Sequence, residues 1–279
     1  MICPMCSPRP RVLFVTDLAY VSRGRRYCDE DIFLSSQLRE WVDIALCHPL
    51  DALALMDGFD AVVVRNSGPV LGYQEAFDAF ARHARENGTK VFTQLTGKGD
   101  QRGKQYLVDL FADGFPVIPT VDDPRGVSRL PEVNTYVVKP KWGADSIGMR
   151  QIGRAELSEV EPGTLIQPRI DFVYEVSFYF IGRTVQYALY APDPGRRWEL
   201  EPYSSTAQDE EFAQRFVDWN DIDHGITRVD ACRTVDGTLL LVELEDLNPY
   251  LSLDRLPETA RRHFVSNMAD AIVALCAQP

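Results

Sequence analysis

The 279-residue sequence lacks any run approaching the ~20 apolar residues of a membrane span, which excludes a helical transmembrane protein. Basic residues are scarce: 29 Lys and Arg stand against 41 Asp and Glu, a formal net charge of −12. Such a surface offers no general basic face to nucleic acid or an anionic membrane, so neither is expected as a partner. Cysteines number six, too few for a disulfide scaffold in a chain this long. Cys3 and Cys6 form one CxxC without a second pair at metal-site spacing, and all six are read as incidental thiols of a reducing compartment. No G-x-G-x-x-G follows the first expected strand, which argues against a Rossmann dehydrogenase. MICPMCSPRPR has no charged leader followed by an apolar region, so a cytoplasmic location is expected.

What is present is the composition of a soluble globular protein, 45% hydrophobic and 25% charged, long enough for one to three domains. Strands are expected at 11–19, 42–49, 60–65 and 90–94, with helices at 32–41 and 76–87, the latter ended by Gly88. Strands alternating with helices imply a parallel sheet covered on both faces, ending near Leu95. A helix at 104–112 stops at Gly114, and the proline-rich FPVIPTVDDP reads as a linker. Beyond it, YVVK, LIQPRI, YEVSFYFIG, TVQYALYA, ITRVDAC and TLLLVELED follow one another with hairpin-like breaks at Gly182 and Asp236-Gly237. Fewer helices are expected there, at 154–160, 209–219 and 257–276, which makes this part an antiparallel α+β unit. The fold class is therefore α/β plus α+β.

Four segments carry chemistry. Tyr136 to Met149 reads YVVKPKWGADSIGM, a β-branched run that delivers Lys139 to one fixed place. Lys141 follows, then a loop on Gly143, Ser146 and Gly148 whose free N–H groups suit polyphosphate. An ordinary hairpin with a lysine at its rim has the same pattern. Leu165 to Ile170, LIQPRI, is an extended segment broken by Pro168, and its unpaired backbone groups suit the edge of an adenine. Glu175 suits ribose hydroxyls; an edge strand with a proline reads alike. Arg228 and Asp230 share one strand face, as suits a phosphoryl group meeting a metal, or a simple ion pair. In LLLVELEDLNPYL, Glu243 and Glu245 share a face, Asp246 points away, and Asn248 sits at the strand's end. With Asp230 on the neighbouring strand, this oxygen density suits Mg²⁺, a polar sheet face being the alternative.

The region from Lys104 to Leu251 resembles the ATP-grasp superfamily, especially its D-alanine–D-alanine ligase, glutathione synthetase and ribosomal-protein-modifying ligase branches. RGKQYLVDLFADGFPVIPT resembles the family's lysine, helix and Gly-Pro turn, and VVKPKWGADSIGM its Lys-Pro strand and small-residue loop. The resemblance implies an ATP-grasp fold with an N-terminal parallel domain at 1–95 and two α+β lobes, 96–165 and 166–279, clasping ATP. It implies that Lys104 and Lys139 bind ATP phosphates, with Lys141 and the Gly143–Ser146 loop beside them. Gln167, Arg169 and Ile170 would lie at the adenine hinge, and Glu175 on the ribose. Arg228 would stabilise the transferred phosphoryl group, and Asp230, Glu243, Glu245 and Asn248 would hold two Mg²⁺ ions. The sequence departs from the pattern at Gly103, where an acid or amide is usual, and at Glu243-Leu244-Glu245, where the family has a carboxylate and an asparagine one residue apart. Either Glu245 replaces the asparagine or a bulge brings Asn248 into place.

The implied activity is an ATP-dependent carboxylate–amine ligation through an acylphosphate, on an amino acid or a small specialised metabolite; a peptide substrate also fits, as does a homodimer. Arg23, Arg25 and Arg26 follow the first strand, where open α/β sheets bind ligands, and are candidates for a substrate carboxylate. Arg65, in the Arg65-Asn66-Ser67-Gly68 segment, and Arg197 are further candidates, against the alternative of solvated loops. A phosphotransferase, or a nucleotide-binding protein without ligase turnover, would use the same lysines and metals.

Overall fold

The computed structural model describes residues 8–22, 25–65, 72–143, 147–247 and 249–278. The first part of the chain runs β1 (Arg11–Val15), β2 (Val21–Ser22), β3 (Arg25–Arg26), α1 (Cys28–Leu38), β4 (Asp43–Cys47), α2 (Ala52–Leu55), β5 (Ala61–Val64), α3 (Gln74–Asn87) and β6 (Val91–Phe92). β4, β1, β5 and β6 form a four-stranded sheet in that order, paired in parallel throughout. Four of the five β1 residues and all of β5 are buried, the continuous apolar pattern of strands covered on both faces. α3 ends at Gly88 in the left-handed conformation, as its position predicts. α1 begins four residues before the expected Ile32, because its first turn is Asp29, Glu30 and Asp31, charges that interrupt the apolar period. Acidic groups suit a helix N-terminus, yet Glu30 and Asp31 are buried.

The chain continues with α4 (Tyr106–Ala112), β7 (Thr135–Pro140), β8 (Arg150–Gly153) and β9 (Thr164–Pro168). β7 lies between β8 and β9 in an antiparallel three-stranded sheet. Then come β10 (Phe172–Ile181), β11 (Thr184–Ala191), β12 (Glu201–Pro202), α5 (Ala207–Asn220), β13 (Ile226–Thr234), β14 (Leu239–Glu245) and α6 (Glu258–Ala277). β12-β11-β10-β13-β14 form a five-stranded antiparallel sheet. The segment expected as a helix at 154–160 is a 3₁₀ helix, Arg154–Glu159.

The large sheet has two unlike faces. Phe178, Phe180, Val229, Ala231 and Leu244 pack with α4 and α5 residues such as Leu110, Phe216 and Val217. The alternate residues, Tyr179, Arg228, Asp230, Glu243 and Glu245, face the other way. α6 packs Phe264, Met268 and Ile272 against Val12, Phe14 and Val63 of the parallel sheet, and against Tyr179 and Leu189 of the large one. Leu247, just past β14, is buried with Val15 and Val64. The end of the acidic strand is thus plugged into the N-terminal sheet.

Candidate active site

The acidic cluster is set by strand register. Arg228 lies opposite Glu245 and Asp230 opposite Glu243, with a shift between Asp230 and Ala231 that leaves Val242 as an extra residue on β14. A bulge re-aims the side chains beyond it, here turning Glu243 toward Asp230. The sequence admits a bulge after Glu245; the structure has one before Glu243. Asp230, Glu243 and Glu245 each offer an oxygen within 4.8 Å of the others. The Arg228 guanidinium ties Asp230 to Glu245. Its Nε donates to Asp230 Oδ1 at 2.9 Å, its Nη2 to Glu245 Oε1 at 2.5 Å, and its Nη1 to the Tyr250 carbonyl at 3.0 Å. Burial pushes the Glu245 carboxyl up; the Arg228 charge opposes this, and the charges of Asp230 and Glu243 add to it.

Two lysines reach the same cluster from other elements. Lys104 Nζ donates to Glu243 Oε1, and Lys139 Nζ lies 3.7 Å from that oxygen. Both lysines are buried. Burial alone would lower both; for Lys104 the charge and hydrogen bond of Glu243, with the charges of Glu245 and Asp100, together outweigh it and hold the ammonium above its ordinary value. Lys139 is lowered to about 8, by burial and by the Lys104 charge, against the pull of Glu243. Glu243 is held well below the usual carboxylate range: burial raises it, and the two lysines with Arg228 together outweigh that burial. Gly103 has φ +73°, and a Cβ there would sit 3.0 Å from the Trp142 ring and 3.2 Å from the Lys141 carbonyl. That accounts for glycine before Lys104: the corner runs under Trp142, with the Lys104 N–H bonded to the Lys141 carbonyl at 2.7 Å.

A second device joins the Lys104 corner to β14. Asp246 is buried and accepts the Gly99 and Gln101 N–H groups, each at 3.0 Å. Asp100 Oδ1 reciprocates, accepting the N–H groups of Asp246 at 2.7 Å and Leu247 at 2.9 Å. The sequence places Asp246 away from the acidic face; its partners, some 145 residues earlier in the chain, carry no local signal.

The remaining expected residues are placed as follows. Lys141 Nζ donates to Gln105 Oε1 and to Asp122 Oδ2 at 2.7 Å. Gly143 has φ +151° and lies over Pro140 at the end of β7. Ile166 exchanges both backbone hydrogen bonds with Val121, and the Gln167 amide donates to Thr120 Oγ1 at 2.8 Å. Backbone expected to be open in this segment is therefore engaged up to Gln167. The Arg169 N–H goes to the Thr135 carbonyl, its side chain is exposed, and Ile170 is half-buried. Glu175 accepts from Arg197 Nε, and burial holds its carboxyl above the ordinary value against that charge. Ser146 and Asn248 lie outside the described residues, as do Arg23 and Asn66 to Gly68.

No family model matches the sequence, and no curated protein matches it either. Solved structures do. A D-cycloserine synthetase, DcsG, superposes with a TM-score of 0.74 at 22% identity, covering 95% of this chain and 99% of that one. The ATP-grasp ligase PsnB, complexed with a precursor peptide and AMPPNP, gives 0.66 at 16% identity, over 98% and 100%. D-alanine–D-alanine ligase from Bacillus anthracis, complexed with ATP, gives 0.69 at 13% identity, over 97% of each chain. The chain has the ATP-grasp fold. On this fold the Lys104 corner, the β7 lysine and the β13–β14 acidic face meet at one place, from three separate stretches of sequence.

The arginines expected near a substrate occupy different surroundings. β2 and β3 form a two-stranded hairpin in which Val21 pairs with Arg26 and Ser22 with Arg25; the Arg25 side chain lies outside the described set. Arg26 pairs with Asp29 at 2.5 Å on the exposed surface. Arg197 is exposed beside Glu175. Arg65 is buried, with Nε on Asp31 at 3.0 Å, Nη2 on Glu30 at 3.3 Å and Nη1 on the Pro249 carbonyl at 2.7 Å. The sequence offers Arg65 to a substrate carboxylate; the structure gives it two carboxylates of its own chain, because α1 buries its first acidic turn against β5.

Proposed function

We propose that this chain is an ATP-dependent carboxylate–amine ligase that forms an amide through an acylphosphate. The observation that carries the reading is the convergence of Lys104 and Lys139 on Glu243, beside Asp230, Glu245 and Arg228. Two ammonium groups with an adjoining three-carboxylate cluster suit a nucleotide triphosphate and its metal, whereas either half alone would be an ordinary ion-pair face. Asp230, Glu243 and Glu245 fit Mg²⁺: all are hard oxygen donors within reach of one ion. Two ions, with Asn248 as a further ligand, are part of the proposal. When bound, Mg²⁺ would neutralise phosphate charge.

In this reading a substrate carboxylate oxygen attacks the γ-phosphorus, the bond to the β-phosphate oxygen breaks, and ADP leaves. An amine then attacks the acyl carbon, the C–O bond to phosphate breaks, and the amine gives up a proton. Lys104 and Lys139 hold the phosphates in line. Arg228, fixed by Asp230, Glu245 and the Tyr250 carbonyl, stabilises the charge on the transferred group. Gln167, Arg169, Ile170 and Glu175 are proposed for the nucleoside, Lys141, Gly143 and Ser146 for the phosphates, and Arg23, Arg25, Arg26 and Arg197 for the substrate. The proposed units are 1–95, 96–165 and 166–279, with α6 of the last packed on the first. The substrate class proposed is an amino acid or small specialised metabolite. Near-complete coverage of a D-cycloserine synthetase supports it, while likeness to PsnB keeps a peptide as the second candidate.

The test is ADP release screened over amino acids, with and without an amine acceptor. Hydroxylamine present in the reaction should yield a hydroxamate. ADP release without hydroxamate would indicate phosphotransfer to a hydroxyl, and ATP binding without any ADP release would sink the enzyme reading.

A further inference from the structure

The segment after the acidic strand hangs between two arginines. The Pro249 carbonyl accepts from Arg65 Nη1 at 2.7 Å, and the next carbonyl, that of Tyr250, accepts from Arg228 Nη1 at 3.0 Å. Glu30 grips the following turn, its Oε1 accepting the Leu251 N–H at 2.7 Å and its Oε2 the Leu253 N–H at 3.1 Å. Between those two N–H groups lies Ser252, buried and at φ +52°, a left-handed conformation that a non-glycine residue adopts only when its surroundings impose it. Arg65 binds both Glu30 and Asp31, and Asp31 accepts from Thr16 Oγ1 at 2.6 Å. Glu30, Arg65, Asp31 and Thr16 take no part in the proposed chemistry.

We infer that Glu30 and Arg65 are positioning residues for Arg228: by holding Pro249 to Leu253 they present the Tyr250 carbonyl to the guanidinium that handles the transferred phosphoryl group. Stability alone gives a weak reason for the cluster, since a buried ion network is often matched or exceeded by apolar residues of similar volume. Geometry gives a stronger one. Apolar residues could fill the space but could not hold one carbonyl and two N–H groups of an irregular segment, leaving the intervening carbonyl aimed the opposite way. The four other hydrogen bonds of Arg228 go to Asp230 and Glu245 on its own sheet. Among the hydrogen bonds described for Arg228, the one to the Tyr250 carbonyl leads to the segment that Arg65 and Glu30 hold. The functional half of the inference rests on the ligase reading; the structural half does not.

Two variants and two readouts test it. Glu30→Gln keeps the volume but replaces one acceptor oxygen with a donor facing an N–H, and Arg65→Lys keeps the charge but loses the fork. Hydrogen exchange, which needs no turnover, should show faster exchange at Leu251 and Leu253 in Glu30→Gln, with β13 unchanged. In turnover, Glu30→Gln should lower kcat about 10- to 100-fold, the scale of a small misplacement of a catalytic group, with the KM for ATP within about twofold. In an Arg228→Lys background the same change should cost less than about threefold, because residues acting through one another are not additive. Unchanged exchange at Leu251 and Leu253 would overturn the inference. So would losses that multiply in the double variant, or a rise in the KM for ATP equal to the fall in kcat. If Glu30→Gln fails to fold, Arg65→Lys carries the same two measurements. A wild-type chain that releases no ADP sinks the ligase reading, and exchange then decides whether the segment is held as inferred.

Discussion

Two arginine–carboxylate centres lie on either side of one short segment. Arg228 sits with Asp230 and Glu245; Arg65 sits with Glu30 and Asp31. In chemistry they are nearly the same. In exposure they differ: the first three side chains are 17–18% accessible, whereas Arg65, Glu30 and Asp31 are 3%, 4% and 0%. A half-open centre can exchange its internal contacts for those of a ligand. A sealed one must satisfy itself, and every donor and acceptor it spends on backbone fixes the chain. The difference teaches that an arginine beside two carboxylates marks a site only when solvent can reach it.

The largest expected effect sharpens the open side. Arg228→Ala should reduce turnover about 10³-fold or more, the scale of removing an arginine from phosphoryl transfer. ATP affinity by calorimetry should change only a few-fold. Normal turnover by this variant would remove the functional half of the comparison. Next comes the sealed side. Arg65→Met takes the guanidinium away from buried Glu30 and Asp31 and should destabilise the fold by about 3–5 kcal/mol in urea unfolding. Arg228→Met should cost clearly less, because water can reach the carboxylates it abandons. Equal losses would break the distinction by exposure.

A smaller effect concerns pH. Lys139 is lowered to about 8, so in the free protein its ammonium is charged below that pH and lost above it. Phosphate binding favours the charged form, so ATP affinity should hold steady up to pH 8 and then fall toward a limit of about tenfold per pH unit. Lys104, shifted the other way, should not contribute in that range. Lys139→Arg should flatten the profile measured from pH 7 to 9.5, since the guanidinium stays charged. The smallest effect concerns Arg26, paired with Asp29 on the open surface. Arg26→Ala should leave the melting temperature unchanged. A rise in substrate KM would place it at the substrate; no change in KM would leave it a solvated ion pair.

Much of the antiparallel half was legible in the sequence. TVQYALYA is the strand Thr184–Ala191, and the hairpin at Asp236-Gly237 turns where expected, with Gly237 at φ +88°. Lys139 was legible as a site candidate from the β-branched run that leads into it, and Arg228, Asp230, Glu243 and Glu245 because period-two alternation assigns faces within a single strand. The N-terminal half was less so. β1 stops at Val15 rather than Ala19, and β6 spans only Val91–Phe92, since strand length depends on the neighbouring strands available to pair. The bulge at Val242 was not legible, because a register shift belongs to a pair of strands. Asp100, Glu30 and Thr120 were missed: their partners are backbone groups or side chains tens to hundreds of residues away. Gly103 looked like a departure from a pattern until Trp142 was found lying over it.

The main strands and helices, the parallel and antiparallel character of the two larger sheets and the candidate residues for phosphate and metal chemistry were read from the sequence itself. Those properties follow from local periodicity and from the chemistry of single side chains. Which of two similar arginines faces solvent was decided only by the tertiary structure. Burial is set by what packs over a residue, and here α1, the turn after β14 and the parallel sheet close over Arg65 while the acidic face around Arg228 stays partly open.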